Sequence, residues 1–258
     1  MTSVEITSKI LAVLFCGGFL AGFVDSIAGG GGLISLPVLL SVGLPPQLAL
    51  GTNKFQGSFG TLSASYNFIR KGKANLRESF VGIVFTLTGA ALGAGLIQRL
   101  DPSFLKHIIP VLLMVVFVYT LLNKQLGVKR GTARMPRKRF FVLFGLGLGF
   151  YDGFFGPGTG SFWTAALLVL LGHDMTQAAG TTRIMNFTSN IVALCVFVAG
   201  HNVLYRAGVC MAVGQIIGAR IGSGLAIRNG ARFIRPIFLT VMFLTIARLG
   251  YVYYIRPA

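Results

Sequence analysis

The chain has 258 residues, of which 54% are hydrophobic and 11% charged, with a mean hydropathy of +0.76. Soluble domains carry about a quarter charged residues, so this composition excludes an ordinary water-soluble fold and predicts an all-α polytopic membrane protein. The 23 Lys and Arg against 6 Asp and Glu give a formal charge of +17, yet most of these cations fall in short loops between apolar segments. Loops of that kind encode membrane topology, whereas nucleic-acid binders display their cations beside a packed soluble core; no nucleic-acid partner is expected.

Apolar segments lie at 10–24, 33–44, 47–69, 79–98, 103–123, 140–151, 161–172, 175–199, 204–226 and 233–255. The polar start, MTSVEITSK, leads into the first without a small-residue cleavage site, so no removed signal peptide is expected. A crossing takes about 20 residues. The pair 10–24 with 33–44, and the pair 140–151 with 161–172, are short and flank glycine-rich breaks. Each pair is either one interrupted crossing helix or a hairpin that enters the membrane and returns.

The basic loops decide between them. Arg70, Lys71, Lys73 and Arg77 follow segment 47–69, and seven cations between Lys124 and Arg139 follow segment 103–123. Two crossings separate these loops, so they share the cytoplasmic side. With 140–172 as a hairpin, Arg228, Arg232 and Arg235 also fall inside, giving fourteen cations inside and five outside. Each half then holds one hairpin and three crossings, an odd number. The halves, 1–123 and 140–258 joined by a basic linker 124–139, are therefore expected to be inverted repeats, eight membrane segments in all. Transporters of that design bind substrate near the midplane, at broken helices.

The repeat is legible residue by residue. GFVDSIAGGGGLISLPVLLSVGLPPQLALGTNKFQGS begins at Gly22, and GFYDGFFGPGTGSFWTAALLVLLGHDMTQAAGTTRIMNFTS begins at Gly149. Asp25 pairs with Asp152, Gly29 with Gly156, Gly31 with Gly158, Gly51 with Gly180 and Lys54 with Arg183, the offset drifting only from 127 to 129. Further on, Gly89 and Gly93 match Gly214 and Gly218, and Pro110 matches Pro236. Glycines four apart, including Gly18 with Gly22 and Gly145 with Gly149, let helix backbones approach closely.

An embedded cation is costly unless it faces protein, water or an anion. Lys54 and Arg183 are therefore the leading candidates for anion binding; the alternative is that each pairs with a carboxylate, Asp25 or Asp152. Half-helix N-termini around Gly31 and Gly32, and around Gly158 and Ser161, would offer free N–H groups and a positive dipole end. Asn53, Gln56 and Asn186 lie at helical spacing beside the cations and could bond the oxygens of an oxyanion or cap the hairpin backbone. Asp25 and Asp152 are candidates for proton coupling, or for bonding to the broken backbone. Arg220 and Arg248 are embedded without a counterpart in the other half. Cys16, Cys195 and Cys210 read as small buried residues, and the histidines as interfacial; no metal site, cofactor or catalytic group is expected. GGGG and GPGTGS lack the following GK[ST] of a phosphate loop. Tyr151 and Asp152 resemble half of an intramembrane aspartyl protease dyad, but no GxGD accompanies them.

FVDSIAGGGGLISLPVLLSVG with ALGTNK, followed by GFYDGFFGPGTGSF, resembles the TauE/SafE family of sulfite exporters over roughly residues 10–255. The resemblance implies eight membrane segments in two four-segment repeats, in a bacterial inner membrane, and transport, usually outward, of small sulfur-containing anions such as sulfite or organosulfonates. The expected function is a secondary transporter working by alternating access, with a passive anion channel as the alternative. A small anion and the bilayer are its expected partners; a homo-oligomer is left open.

Overall fold

A computed structural model describes residues 7–100 and 132–229. The expected segments 103–123 and 233–255, with Pro110, Pro236, Arg248 and most of the linker 124–139, lie outside the described residues. Eight helices and no strand are present among the described residues: α1 (Ser8–Ala28), α2 (Gly31–Ser41), α3 (Pro46–Arg70), α4 (Leu76–Ile97), α5 (Arg137–Phe154), α6 (Thr159–Leu170), α7 (Met175–Ala199) and α8 (Tyr205–Asn229). α1, α4, α7 and α8 are long and apolar enough to cross a bilayer. α3 has the length but not the hydropathy, because it buries Thr52, Asn53, Lys54, Gln56 and Ser58.

The first segment is longer than expected. Asp25 and Ser26 read as a helix end, yet α1 continues through both to Ala28, 21 residues in all, or about 30 Å. The polar groups are satisfied in place: Ser26 Oγ donates to Phe23 O at 2.9 Å, and the helix stops only at Gly29, whose φ of 84° suits a residue without Cβ.

Both short helices run back along the helix before them. Gly17 of α1 lies against Val38 of α2, while Gly31, at the start of α2, lies against Ala21 and Asp25. In the second half, Arg134 N donates to Leu170 O at 2.8 Å, which returns the end of α6 to the chain just ahead of α5. Phe140 meets Trp163 edge-on at 6.2 Å and Tyr151 meets Phe162 at 5.6 Å, filling the space between the two helices. In both halves the short helix doubles back, so neither pair is one straight interrupted helix.

The halves interlock by exchanging partners: α1 packs along α8 and α5 along α4, while α3 and α7 face each other between them. Glycines bring these backbones into contact as the spacing predicts. Gly18 meets the backbone of Met211 and Gly22 that of Gln215; Gly149 meets Thr86 and Gly153 meets Ala90. The register of the repeat differs by one turn from the glycine match made on sequence. Pro46 and Met175 open α3 and α7, Leu76 and Tyr205 open α4 and α8, and both pairs are 129 residues apart. Gly89 thus corresponds to Gly218 and Gly93 to Gly222, and their contacts agree, Gly93 touching Phe150 and Gly222 touching Phe23. Glycines repeating every four residues match themselves one turn out of phase, so helix starts, not glycines, define the register.

Cys16 and Cys195 are exposed and Cys210 half-buried, contrary to the expectation that all three are buried. Cys16 and Cys195 lie on outward faces of α1 and α7, among the exposed Leu, Ile, Val and Phe that a bilayer would cover. Arg220 likewise faces outward from α8.

Candidate functional site

The two glycine breaks meet. Gly29, between α1 and α2, and Gly160, in the first turn of α6, are in backbone contact, and a side chain on either would displace the other. Around them, Tyr151 Oη donates to Pro157 O at 2.9 Å and Thr159 Oγ1 donates to Gly156 O at 2.6 Å. Gly156 and Gly158 hold φ of 101° and 85°, so the second break turns through a conformation that other residues resist.

α3 and α7 deliver the cations, and each one crosses to the opposite half. The Lys54 ammonium donates to Asp152 Oδ1 at 2.6 Å, to the Asp152 carbonyl oxygen, and to Asn190 Oδ1 at 3.3 Å. Arg183 repeats the arrangement with the halves exchanged. Its Nη1 lies 3.1 Å from Asp25 Oδ2 and donates to the Asp25 carbonyl oxygen, while Nε donates to Ala179 O at 3.4 Å. Lys54 is 1% exposed and Arg183 0%. Pairing lets such charges stay buried: neither cation nor carboxylate is left facing apolar surroundings alone.

The carboxylates have further donors. Gly31 N, the first free amide of α2, donates to Asp25 Oδ1 at 3.1 Å, so the protein's own carboxylate occupies that half-helix N-terminus. Asp152 Oδ2 accepts from Ser189 Oγ. Asn53 Oδ1 accepts from Ser35 Oγ at 2.5 Å and from Gln56 Nε2 at 2.9 Å, tying α2 to α3. The corresponding contact in the second half joins Thr164 Oγ1 to Thr182 Oγ1 at 3.1 Å.

Between these groups lies a polar cavity of about 30 Å³, roughly two to three times the space one water needs. Of the expected binding residues, Lys54, Asn53, Gln56, Gly32, Gly158 and Asn186 line it, as do Asp25 and Asp152. Gly31, Ser161 and Arg183 do not. Arg183 is packed behind Gly29, with Nη2 lacking a hydrogen-bond partner among the described residues. The two cations matched by sequence therefore hold different positions, one at the cavity wall and one in the scaffold. Thr61 and Gln215, which also line the cavity, were not among the residues the sequence pointed to. Thr61 lies one turn beyond Gly57 on the polar face of α3 and extending that face would have found it. Gln215 carried no signal beyond being a polar residue inside an apolar helix.

Comparison with known proteins identifies the family. The family model for the sulfite exporters TauE/SafE matches residues 14–249. "Probable membrane transporter protein" of Haemophilus influenzae is 42% identical over 247 residues, covering 96% of this chain and 97% of its own. "Probable membrane transporter protein YfcA" of Escherichia coli is 40% identical over 246 residues, 95% of this chain and 91% of its own. No solved structure matches the chain significantly. A match over nearly the whole length, on apolar helices broken by glycines at the two places the sequence singles out, makes this chain a multi-pass membrane transporter of the TauE/SafE sulfite exporter family.

Proposed function

We propose that the protein is a secondary transporter that exports a small anion, sulfite or an organosulfonate, across the bacterial inner membrane. One observation carries this reading. The cavity where the two glycine breaks meet is polar, buried and walled by an ammonium, Lys54. In a protein of this family, whose description names sulfite, such a wall suits an oxyanion of a few atoms.

In this reading the donor count bears on how an anion enters. All three N–H groups of Lys54 are engaged, two by Asp152 and one by Asn190. An anion therefore binds by replacing the Asp152 carboxylate at the ammonium. Asp152 then faces Ser189, with Lys54 and the anion beside it and the Arg183–Asp25 pair behind Gly29 and Gly31. A proton on Asp152 would keep this buried site neutral, so a monovalent anion travels with one proton, driven by the sum of the anion and proton gradients. Asp25 is the equivalent candidate in the first half.

In this reading the halves are inverted repeats of four membrane segments each. The two hairpins with α3 and α7 move against the remaining helices, alternating access to the cavity. A passive anion channel would use the same charges, but saturable flux with counterflow belongs to a carrier and ohmic current to a channel. An intramembrane aspartyl protease needs two carboxylates sharing a proton; here each carboxylate is tied to its own cation.

The test is thermal stabilisation of the purified protein by sulfite, thiosulfate, sulfoacetate, sulfate, chloride and carboxylates. A ligand at a hundred times its Kd adds about 2.7 kcal/mol to the folded state. Stabilisation by a sulfur oxyanion that disappears in Lys54→Met supports the reading. Stabilisation that survives Lys54→Met removes the site from the cavity.

A further inference from the structure

Gln215 lies mid-way along α8, 2% exposed, and lines the cavity. Its Oε1 accepts no hydrogen bond among the described residues, although buried carboxamides are ordinarily paired. The side chain reaches the cavity through a gap in α3: a methyl group added at Gly60 would collide with Gln215 Cγ and lie 2.7 Å from Nε2. The second half has no counterpart of this arrangement. Counted 129 residues apart, Gln215 corresponds to Thr86, Gln56 to Met185 and Gly60 to Ser189. Thr86 Oγ1 rests 3.5 Å from Met185 Sδ, and neither residue lines the cavity. That pair lies outside the cavity, whereas the carboxamides of Gln56 and Gln215 both line it, each with an Oε1 unpaired among the described residues.

Resting on the anion-transport reading above, we infer that Gln215 is a substrate-contacting residue that determines which anions the cavity accepts. A carboxamide turned through half a rotation presents either N–H or oxygen in the same volume, so Gln215 can donate to a substrate oxygen while Lys54 supplies the charge. Being neutral and directional, it favours an anion with oxygens at a fixed distance from the ammonium over a spherical one. Gly60 acts through Gln215 as a positioning residue, its missing side chain leaving the carboxamide room to stand at the cavity.

The experiment measures sulfite and chloride affinity of the purified full chain by thermal shift, together with the ligand-free Tm, for wild type, Gln215→Leu, Gln215→Glu, Gly60→Ala and Lys54→Met. Losing a hydrogen bond to a charged ligand costs about tenfold or more in affinity. Gln215→Leu and Gly60→Ala should each weaken sulfite by about that factor and lower the sulfite-to-chloride preference. Gln215→Glu, of the same shape but negative, should abolish anion binding. Because the carboxamide has an unpaired oxygen, Gln215→Leu should leave the ligand-free Tm unchanged or raise it. Unchanged sulfite affinity in both Gln215→Leu and Gly60→Ala, with binding still lost in Lys54→Met, overturns the role of Gln215 and leaves the anion site standing. A lowered ligand-free Tm in Gln215→Leu with normal sulfite binding in Gly60→Ala makes Gln215 a packing residue and also overturns it. A wild type that binds neither anion removes the anion site and this inference with it.

Discussion

Lys54 Nζ and Asp152 Oδ1 lie 2.6 Å apart, joining the third helix of the chain to the fifth, and Arg183 and Asp25 form the same bond with the halves exchanged. Each half therefore supplies the counter-charge of the other. Neither cation has a carboxylate partner from its own half among the described residues.

Removing one member of such a pair leaves an uncompensated buried charge, at a cost of about 3–5 kcal/mol. Lys54→Met or Asp152→Leu alone should destabilise the protein by roughly that amount in detergent. The double variant, which removes both charges, should regain most of the loss while remaining unable to bind anions. Thermal unfolding of the three proteins beside the wild type checks the cycle. Additive losses in the double variant would show that the two residues are not coupled.

Arg183 and Lys54 occupy matching positions in GTTR and GTNK but should answer differently to exchange. Arg183→Lys loses the bond from Nε to Ala179 O and part of the grip on Asp25, while the Lys54 ammonium at the cavity wall is left in place. It should lower Tm with little change in anion affinity. Lys54→Arg places a bulkier fork where Gly156 already crowds Nζ, since a Cβ there would be 2.6 Å away. It should lower anion affinity at least tenfold, as loss of a well-placed charged contact does. Measuring Tm and Kd for both variants separates the scaffold cation from the cavity cation.

Much of this was readable because membrane helices announce themselves by length and their breaks by glycine. The segment 175–199 coincides with α7, which Asp174 opens by accepting from Gln177 N at 2.9 Å. The end of α1 was misplaced because Asp25 and Ser26 looked like the polar end of an apolar run, and their partners come from Gly31, Arg183 and the helix itself. Which aspartate each cation would choose was not legible, because the repeat makes both choices equally good in one dimension. Gln215 was invisible for a related reason. Its place at the cavity depends on Gly60, a residue on another helix far away in sequence.

The glycine contacts give a cleaner test of packing than the charged site. A Cβ at Gly153 would strike the backbone of Ala90, and one at Gly18 the backbone of Met211, so neither can be relieved by turning a side chain. Gly153→Ala and Gly18→Ala should each cost about 1–3 kcal/mol through forced separation of the helices. Gly95, with nothing within 4 Å of the added atom, is the control: Gly95→Ala should be neutral or stabilising by up to about 1 kcal/mol from helix propensity. Unfolding midpoints of the three variants decide it.

If the two halves are inserted inversely, as proposed, the loop after α3 lies inside the cell and the loop after α7 outside. In a background with Cys16, Cys195 and Cys210 replaced, Lys71→Cys should be protected from a membrane-impermeant thiol reagent in intact cells. Asn202→Cys should react. Equal labelling of both sites would mean that α3 and α7 run the same way through the membrane, and the two halves would then be parallel repeats.

The proton has a distinct signature when the substrate itself does not titrate, as with methanesulfonate. In the wild type, Lys54 and Asp152 make the empty site neutral, and an anion with one proton leaves it neutral. Flux into proteoliposomes should therefore rise as pH falls and ignore an imposed membrane potential. Asp152→Asn keeps the shape but carries no charge, so the empty carrier bears the bare Lys54 cation and the loaded one is neutral. Its flux should lose the pH dependence and become sensitive to potential, which acts on each uncompensated charge with about 2.3 kcal/mol per 100 mV. Wild-type flux that is already independent of pH would mean that no proton travels with the anion, whereas an Asp152→Asn variant that keeps a pH-dependent wild-type profile would place the coupling proton elsewhere, with Asp25 the next residue to replace.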